Sequence, residues 1–313
     1  MSRASIPPKS CAMPRIETNG VALEFDEMGP SDGPPILLIM GFGAQMTWWP
    51  GEFCEGLAQK GLRVIRFDNR DTGLSQKWDG IVPDIAQVRA QAKRNERPAI
   101  PYTLSDMAGD AVALLDGIGV ESAHVLGGSM GGMLAQLVAI DHRQRARSLI
   151  SIFSTTGDRS LPRAAAEATA VLTSRAAGTD RASVIEHELW CRRTIASTGF
   201  SFDERREARA VGDAVDRCYY PEGMLRHWAA FITAPARSDA LRRIRIPALV
   251  MHGSADKLIP CEAGRHTAAC LVGSEYVEIP GWGHDMPGGL VPELVERIVA
   301  FVTKVEAGLQ SNT

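Results

Sequence analysis

A chain of 313 residues with 45% hydrophobic, 23% charged and 6% aromatic residues carries enough apolar material for one large buried core. Its net charge of −3, from 34 Lys and Arg against 37 Asp and Glu, offers no basic surface for a phosphate backbone, so no nucleic-acid partner is expected. No apolar run approaches the ~18 residues of a membrane span, and the opening MSRASIPPKSCAMPR has three prolines and no apolar leader core, so a soluble, cytoplasmic protein is expected.

Residues 1–14 read as a loose tail. Arg15–Asn19 and Val21–Met28, joined at Asn19-Gly20, predict a β-hairpin. Ile36–Met40 is a continuous apolar run of the kind buried on both faces of a parallel sheet, and it stops at Gly41-Phe42-Gly43. A helix over 50–60 and a strand over Arg63–Asp68 follow, then the polar turn-rich loop Asp68–Ser75. Residues 76–101 contain an amphipathic stretch near 84–96 but read as an extended surface connection. Thr103 or Ser105 stands where a helix cap belongs. Strand Ala123–Gly127, helix Met130–His142 and strand Ser148–Ser154 continue the alternation, which points to a parallel sheet with helices on both faces.

From Thr155 to about Leu241 the alternation disappears into Ala-, Arg- and Glu-rich helical sequence. That is too long for a loop in a compact domain, so a helical cap over 155–240 is expected. Its arginines are interspersed with acids and read as a solvated face. The core, 15–154, resumes at 241–307: strand Ala248–Gly253, helix 261–272, strand Glu275–Pro280 and helix 290–306, with 308–313 as a tail. The six cysteines (Cys11, Cys54, Cys191, Cys218, Cys261, Cys270) show neither C-x-x-C nor metal-like spacing to histidine and are expected to be free thiols, although the sequence leaves disulfides open.

Gly127-Gly128-Ser129-Met130-Gly131 is a G-x-S-x-G motif directly after a strand and directly before a helix. A serine on that tight turn points its Oγ into solvent as a nucleophile. A glycine turn with an inert serine leaves the context unexplained, and a phosphate cradle lacks both the P-loop lysine and G-x-G-x-x-G spacing. The Met130 N–H, at the start of the helix, suits one arm of an oxyanion hole. A second arm is assigned to the Phe42 N–H after the earlier strand, although Gly41–Gly43 also reads as an ordinary strand-ending turn.

Of the seven histidines, His284 in Gly281-Trp282-Gly283-His284-Asp285 stands on a loop after the last strand, where it can swing over the sheet's carboxyl edge as the base. His252, inside a strand ending, reads as packed or supporting; the others read as structural or exposed. The acid should leave the preceding strand, which selects Asp256 after Gly253-Ser254-Ala255. Asp158, after Ser148–Ser154, is the competitor. Trp190, Trp228 and Phe231, with Met224, are candidates for lining a substrate pocket or for the cap's own core, and both readings stay open.

These residues resemble the α/β-hydrolase superfamily over roughly 15–307. Within it, LLIMGFG, RFDNRDTGLS and GGSMGG are similar to the aclacinomycin-methylesterase branch of bacterial carboxylesterases. Met40, where many relatives have histidine, fits that branch. Ser129 argues against the branches with an aspartate nucleophile. The resemblance implies an eight-stranded, mostly parallel sheet with an inserted helical lid. It also implies hydrolysis of a small-molecule carboxylic ester through an acyl-enzyme, with no metal or organic cofactor. Cleavage of a carbon–carbon bond or a lactone by the same residues is the nearest alternative. A non-catalytic receptor on this fold is the alternative from another class, and it has no need of the Ser, His and Asp set. Oligomeric state is not readable.

Overall fold

The computed structural model of the chain describes residues 14–94, 96 and 98–311; the expected tail over 1–14 falls almost entirely outside them, as does Cys11. Eight strands form one sheet in the order β1-β2-β4-β3-β5-β6-β7-β8. They are β1 (Arg15–Thr18), β2 (Val21–Met28), β3 (Pro35–Ile39), β4 (Arg63–Phe67), β5 (Ala123–Gly128), β6 (Ala146–Ile152), β7 (Ala248–Gly253) and β8 (Glu275–Ile279). The β1–β2 and β2–β4 pairings are antiparallel and the rest are parallel. The sheet is therefore the mostly parallel eight-stranded one expected. Asn19 and Gly20 both take positive φ, 53° and 70°, the two-residue turn that matches strand twist and sets Thr18 opposite Val21.

Helices cover both faces because the central strands are apolar on both. In β3, Ile36 and Leu38 enter the core beneath α1 (Gly51–Gln59) and α11 (Val291–Gln310), while Leu37 and Ile39 enter the core beneath α3 (Leu104–Gly117) and α4 (Met130–Asp141). All four are fully buried. At about 1.5–3 kcal/mol per buried aliphatic side chain, a charge at any of these positions disrupts the sheet. Thr103 caps α3, accepting from the Asp106 N–H while Asp106 accepts from the Thr103 N–H. That leaves Ser105 inside the helix.

The strand expected over Ser148–Ser154 lies two residues earlier, at Ala146–Ile152, and two longer stretches differ more. Residues 76–101 are not simply an extended connection: Ile85–Lys93 forms α2, capped by Asp84, which accepts from the Ala86 and Gln87 N–H groups. The helix is hard to see because Val88 is its one fully buried side chain. Likewise α11 continues through 308–310, since an exposed glycine with open space around it weakens a helix without ending it. Between β6 and β7 lie α5 (Ala166–Thr173), α6 (Arg181–Ile195), α7 (Glu204–Arg217), α8 (Glu222–Thr233) and α9 (Ser238–Arg243); α10 (Cys261–Cys270) follows β7. The five described cysteines are all unpaired. No helix among the described residues is long and apolar enough to cross a membrane.

Candidate active site

The carboxyl ends of β3, β5, β7 and β8 deliver Phe42, Ser129, Asp256 and His284 to one edge of the sheet. Ser129 sits between β5 and α4 with φ 57° and ψ −123°, a left-handed backbone that costs a non-glycine residue about 1–3 kcal/mol. Its surroundings hold it there. The Ser129 N–H donates to the Ile152 carbonyl at 3.0 Å, and its own carbonyl accepts from the Ser154 hydroxyl at 2.7 Å. Only glycine fits on either side: a Cβ on Gly127 would lie 2.0 Å from the Gly131 carbonyl oxygen, and one on Gly131 would lie 2.0 Å from that of Ile39. The oxyanion-loop candidate abuts the same serine, since a Cβ on Gly41 would stand 3.2 Å from the Ser129 Cβ. The Phe42 and Met130 N–H groups have no acceptor among the described residues.

His284 donates from Nδ1 to Asp256 Oδ2 at 2.8 Å. A carboxylate only accepts, so the proton is on Nδ1 and the Nε2 lone pair is free. The other Asp256 oxygen accepts the Leu258 and Ile259 N–H groups, each at 2.9 Å. Burial pushes the Asp256 carboxyl up. The electrostatic interaction with His284 and the hydrogen bonds of His252 and His284 outweigh it and hold the group well below the ordinary carboxylate range. No hydrogen bond joins Ser129 Oγ to His284, a contact that commonly tightens only with substrate.

Asp285, beside His284, turns away: it accepts from the Ser197 N–H and hydroxyl. The end of α6 and the connector after it clasp the histidine loop, with the Ile195 carbonyl accepting the His284 N–H at 2.8 Å and Ser197 Oγ accepting the Gly283 N–H at 2.9 Å. Asp158 is elsewhere, its carboxylate engaged by the Ser160 N–H, the Ser160 hydroxyl and the Ser238 hydroxyl. Of the pocket candidates, Trp228 packs edge-on against Phe42 at 5.8 Å and lies 6.0 Å from Phe231, so these two border the loop. Met224 joins them over Gly43. Trp190 does not: it is 41% exposed on α6 with its ring against His187.

Phe153 and His227 acquire a place that the sequence did not reveal, and His252, expected to be packed or supporting, acquires its partner. Phe153, directly after β6 with φ 36°, lies 4.6 Å from the His284 ring, and a Cβ on Gly128 would stand 3.0 Å from its ring. It thus bridges the serine turn and the histidine. His252 is fully buried, and its Nε2 contacts the Ile259 carbonyl at 2.8 Å and Asp256 Oδ2 at 3.4 Å. It must carry its proton on Nε2, which adds a second donor to the aspartate. His227 contacts the oxyanion loop from α8. A strand-ending aromatic beside the serine elbow was a usable signal for Phe153. For His227 none existed in its own neighbourhood. No cluster of three or more His, Cys, Asp or Glu among the described residues is arranged to hold a metal ion.

A family model for the alpha/beta hydrolase fold matches residues 34–287. The chain is 30% identical over 310 residues to rhodomycin D methylesterase DauP of Streptomyces sp. (strain C5), covering 91% of this chain and 96% of that protein. Rhodomycin D methylesterase DnrP of Streptomyces peucetius is 29% identical over 308 residues, with the same coverage of both. Among solved structures, the enol-lactonase from Burkholderia xenovorans LB400 superposes with a TM-score of 0.70 over 93% of this chain and 100% of that one. At 22% identity it shares the fold.

Proposed function

Since the chain belongs to the α/β-hydrolase family, with ester hydrolysis as its chemistry, we propose that it is a serine carboxylesterase whose nucleophile is Ser129, base His284 and acid Asp256. The observation that carries this reading is the Asp256–His284 hydrogen bond, made by a buried carboxylate, which leaves an imidazole lone pair on the sheet edge that bears the strained serine.

In the proposed cycle the His284 Nε2 takes the Ser129 proton as Oγ attacks the ester carbonyl. The Phe42 and Met130 N–H groups hold the resulting oxyanion; one such donor is worth about 2.7–4 kcal/mol in the transition state. The tetrahedral intermediate collapses, and the imidazolium returns its proton to the leaving alkoxide. Water then gives its proton to Nε2 and attacks the acyl-serine, and Ser129 leaves reprotonated with the carboxylic acid released. Asp256 keeps the tautomer and balances the imidazolium charge throughout.

The names of the two relatives support a methyl ester as the substrate class, with the small alcohol leaving and a larger acyl part retained. Trp228 and Phe231, on the helices expected to form the cap over 155–240, suit an apolar wall for that acyl part. Ser129→Ala should abolish turnover of p-nitrophenyl acetate in protein that keeps its fold by circular dichroism. A fluorophosphonate should add its mass to Ser129 alone. Undiminished hydrolysis by pure Ser129→Ala protein would remove the reading.

A further inference from the structure

The Asp68–Ser75 loop and α8 meet on the oxyanion loop, and neither is used by the chemistry above. His227, fully buried on α8, stands between them. Its Nε2 is 2.8 Å from the Arg70 carbonyl, which can only accept, so Nε2 carries the proton and Nδ1 is a lone pair. That lone pair accepts the Gly43 N–H at 3.2 Å. Burial pushes the His227 pKa down to about 4, so the ring stays neutral at neutral pH and the acceptor is always present.

We propose that His227 is a positioning residue of the oxyanion loop, holding the Gly43 peptide so that the adjoining Phe42 N–H aims at the forming oxyanion. It rests on the reading of Phe42 as an oxyanion donor.

The anchor behind His227 is rigid. Arg70 makes two hydrogen bonds of 2.6 Å to Asp110, and its guanidinium lies 4.9 Å from the rings of Trp78 and Tyr102. Asn69, next to it, donates to the Met40 carbonyl at 2.9 Å and so fixes the other end of the loop. Arg226, beside His227, is paired to Asp71 through two buried hydrogen bonds of 2.8 and 2.9 Å, which pin α8 to the same platform. Gly43 has φ 63°, and a Cβ there would meet Met224 of α8 at 2.8 Å, so the helix rests directly on the loop. The Phe42 N–H is thus aimed from two sides, by His227 and α8 at Gly43 and by Asn69 at Met40. Lifting α8 would break the aim.

Two conservative variants separate positioning from packing. Asparagine places an amide oxygen near Nδ1 and can accept from Gly43; glutamine places its amide near Nε2 and can only reach Arg70. His227→Gln should lower kcat on p-nitrophenyl acetate by about tenfold to a hundredfold, with KM within about twofold, on the scale of a weakened oxyanion donor. His227→Asn should regain most of that kcat, although it loses the Arg70 contact and melts lower. If kcat follows melting temperature instead, with asparagine no better than glutamine, the proposal is overturned. The fluorophosphonate keeps the two readings apart. No Ser129 adduct in wild-type protein means that the esterase reading fails; an adduct formed at the wild-type rate by His227→Gln means that only this proposal fails. Wild-type protein labelled with ¹⁵N-histidine covers the case in which neither variant folds. Phosphonylation of Ser129 should shift the His227 Nδ1 resonance, because the Phe42 and Gly43 N–H groups lie on adjoining peptides joined at the Phe42 Cα, and an unmoved resonance overturns the proposal.

Discussion

Replacing Asp256 by asparagine exchanges one carboxylate oxygen for an amide nitrogen at constant size, and the surrounding donors decide which oxygen is lost. Oδ1 accepts two backbone N–H groups, from Leu258 and Ile259 at 2.9 Å. Turning the NH₂ group toward them would leave two buried donors unsatisfied, at about 1–3 kcal/mol each. The amide therefore keeps its oxygen there and points its nitrogen at His284, while His252 keeps its shorter bond to the Ile259 carbonyl at 2.8 Å. Facing a donor, His284 must present the Nδ1 lone pair and move its proton to Nε2, toward Ser129. The base is then lost although every atom stays in place. The trypsin precedent for this tautomer error is a drop of ~10⁴ in turnover, or roughly 5 kcal/mol. The assay is kcat/KM on p-nitrophenyl acetate, normalised by fluorophosphonate titration, for Asp256→Asn beside Asp158→Asn. Asp158 is held by Ser160 and Ser238, away from His284, so its variant should stay within about threefold of wild type. An Asp256→Asn enzyme that keeps more than about a tenth of wild-type activity, or an Asp158→Asn enzyme that loses more, refutes the assignment.

Two further outcomes concern stability. Ser129→Gly should melt higher than Ser129→Ala, because glycine relieves a φ of 57° that alanine keeps; a gain of about 1 kcal/mol is expected, read by urea unfolding, and equal midpoints would count against the strain. Burial pushes both His227 and His124 down from 6.5 to about 4, with the Arg70 carbonyl opposing in the first case and Glu306 in the second. Between those values the unfolded chain binds protons that the folded one refuses. Stability is thus full above about pH 6.5 and falls as pH drops to about 4, by on the order of 3 kcal/mol for each ring. The His227→Gln variant should show a shallower slope of unfolding free energy between pH 6.5 and 5, and an unchanged slope would falsify the linkage.

The sheet was legible because Ile36–Met40 and Ala248–Met251 are apolar on every residue, which leaves no reading but strands buried on both faces. The helix over 85–93 was not, because its single fully buried residue gives no stripe to see. The serine motif could be read from five adjacent residues, since its chemistry depends on a local turn. His227 depends on the opposite kind of information. Its partner Gly43 is 184 residues away, and nothing near His227 marks it among the apolar neighbours of α8. His252 lies between these cases. Its strand and its nearness to Asp256 were visible, but the tautomer that lets it donate comes from the Ile259 carbonyl in the turn beyond. Contacts closed by the fold, rather than by the turn, are what sequence patterns omit.

The departures from locally favourable structure are not scattered. Among the described residues, four non-glycine positions take left-handed φ: Asn19 in a surface hairpin, and Asp71, Ser129 and Phe153, which follow β4, β5 and β6 at their carboxyl ends. The same edge bears the unpaired Phe42 and Met130 N–H groups and the buried Asp71–Arg226 and Arg70–Asp110 pairs. Each of these is unfavourable alone, by about 1–3 kcal/mol for strain and by more for a buried charge deprived of its partner. They persist because the two apolar cores beneath fix the strand ends too firmly for the edge to relax. Substitutions that relieve the edge, such as Ser129→Gly, should therefore stabilise the fold at the expense of turnover, whereas substitutions in the cores should weaken both together.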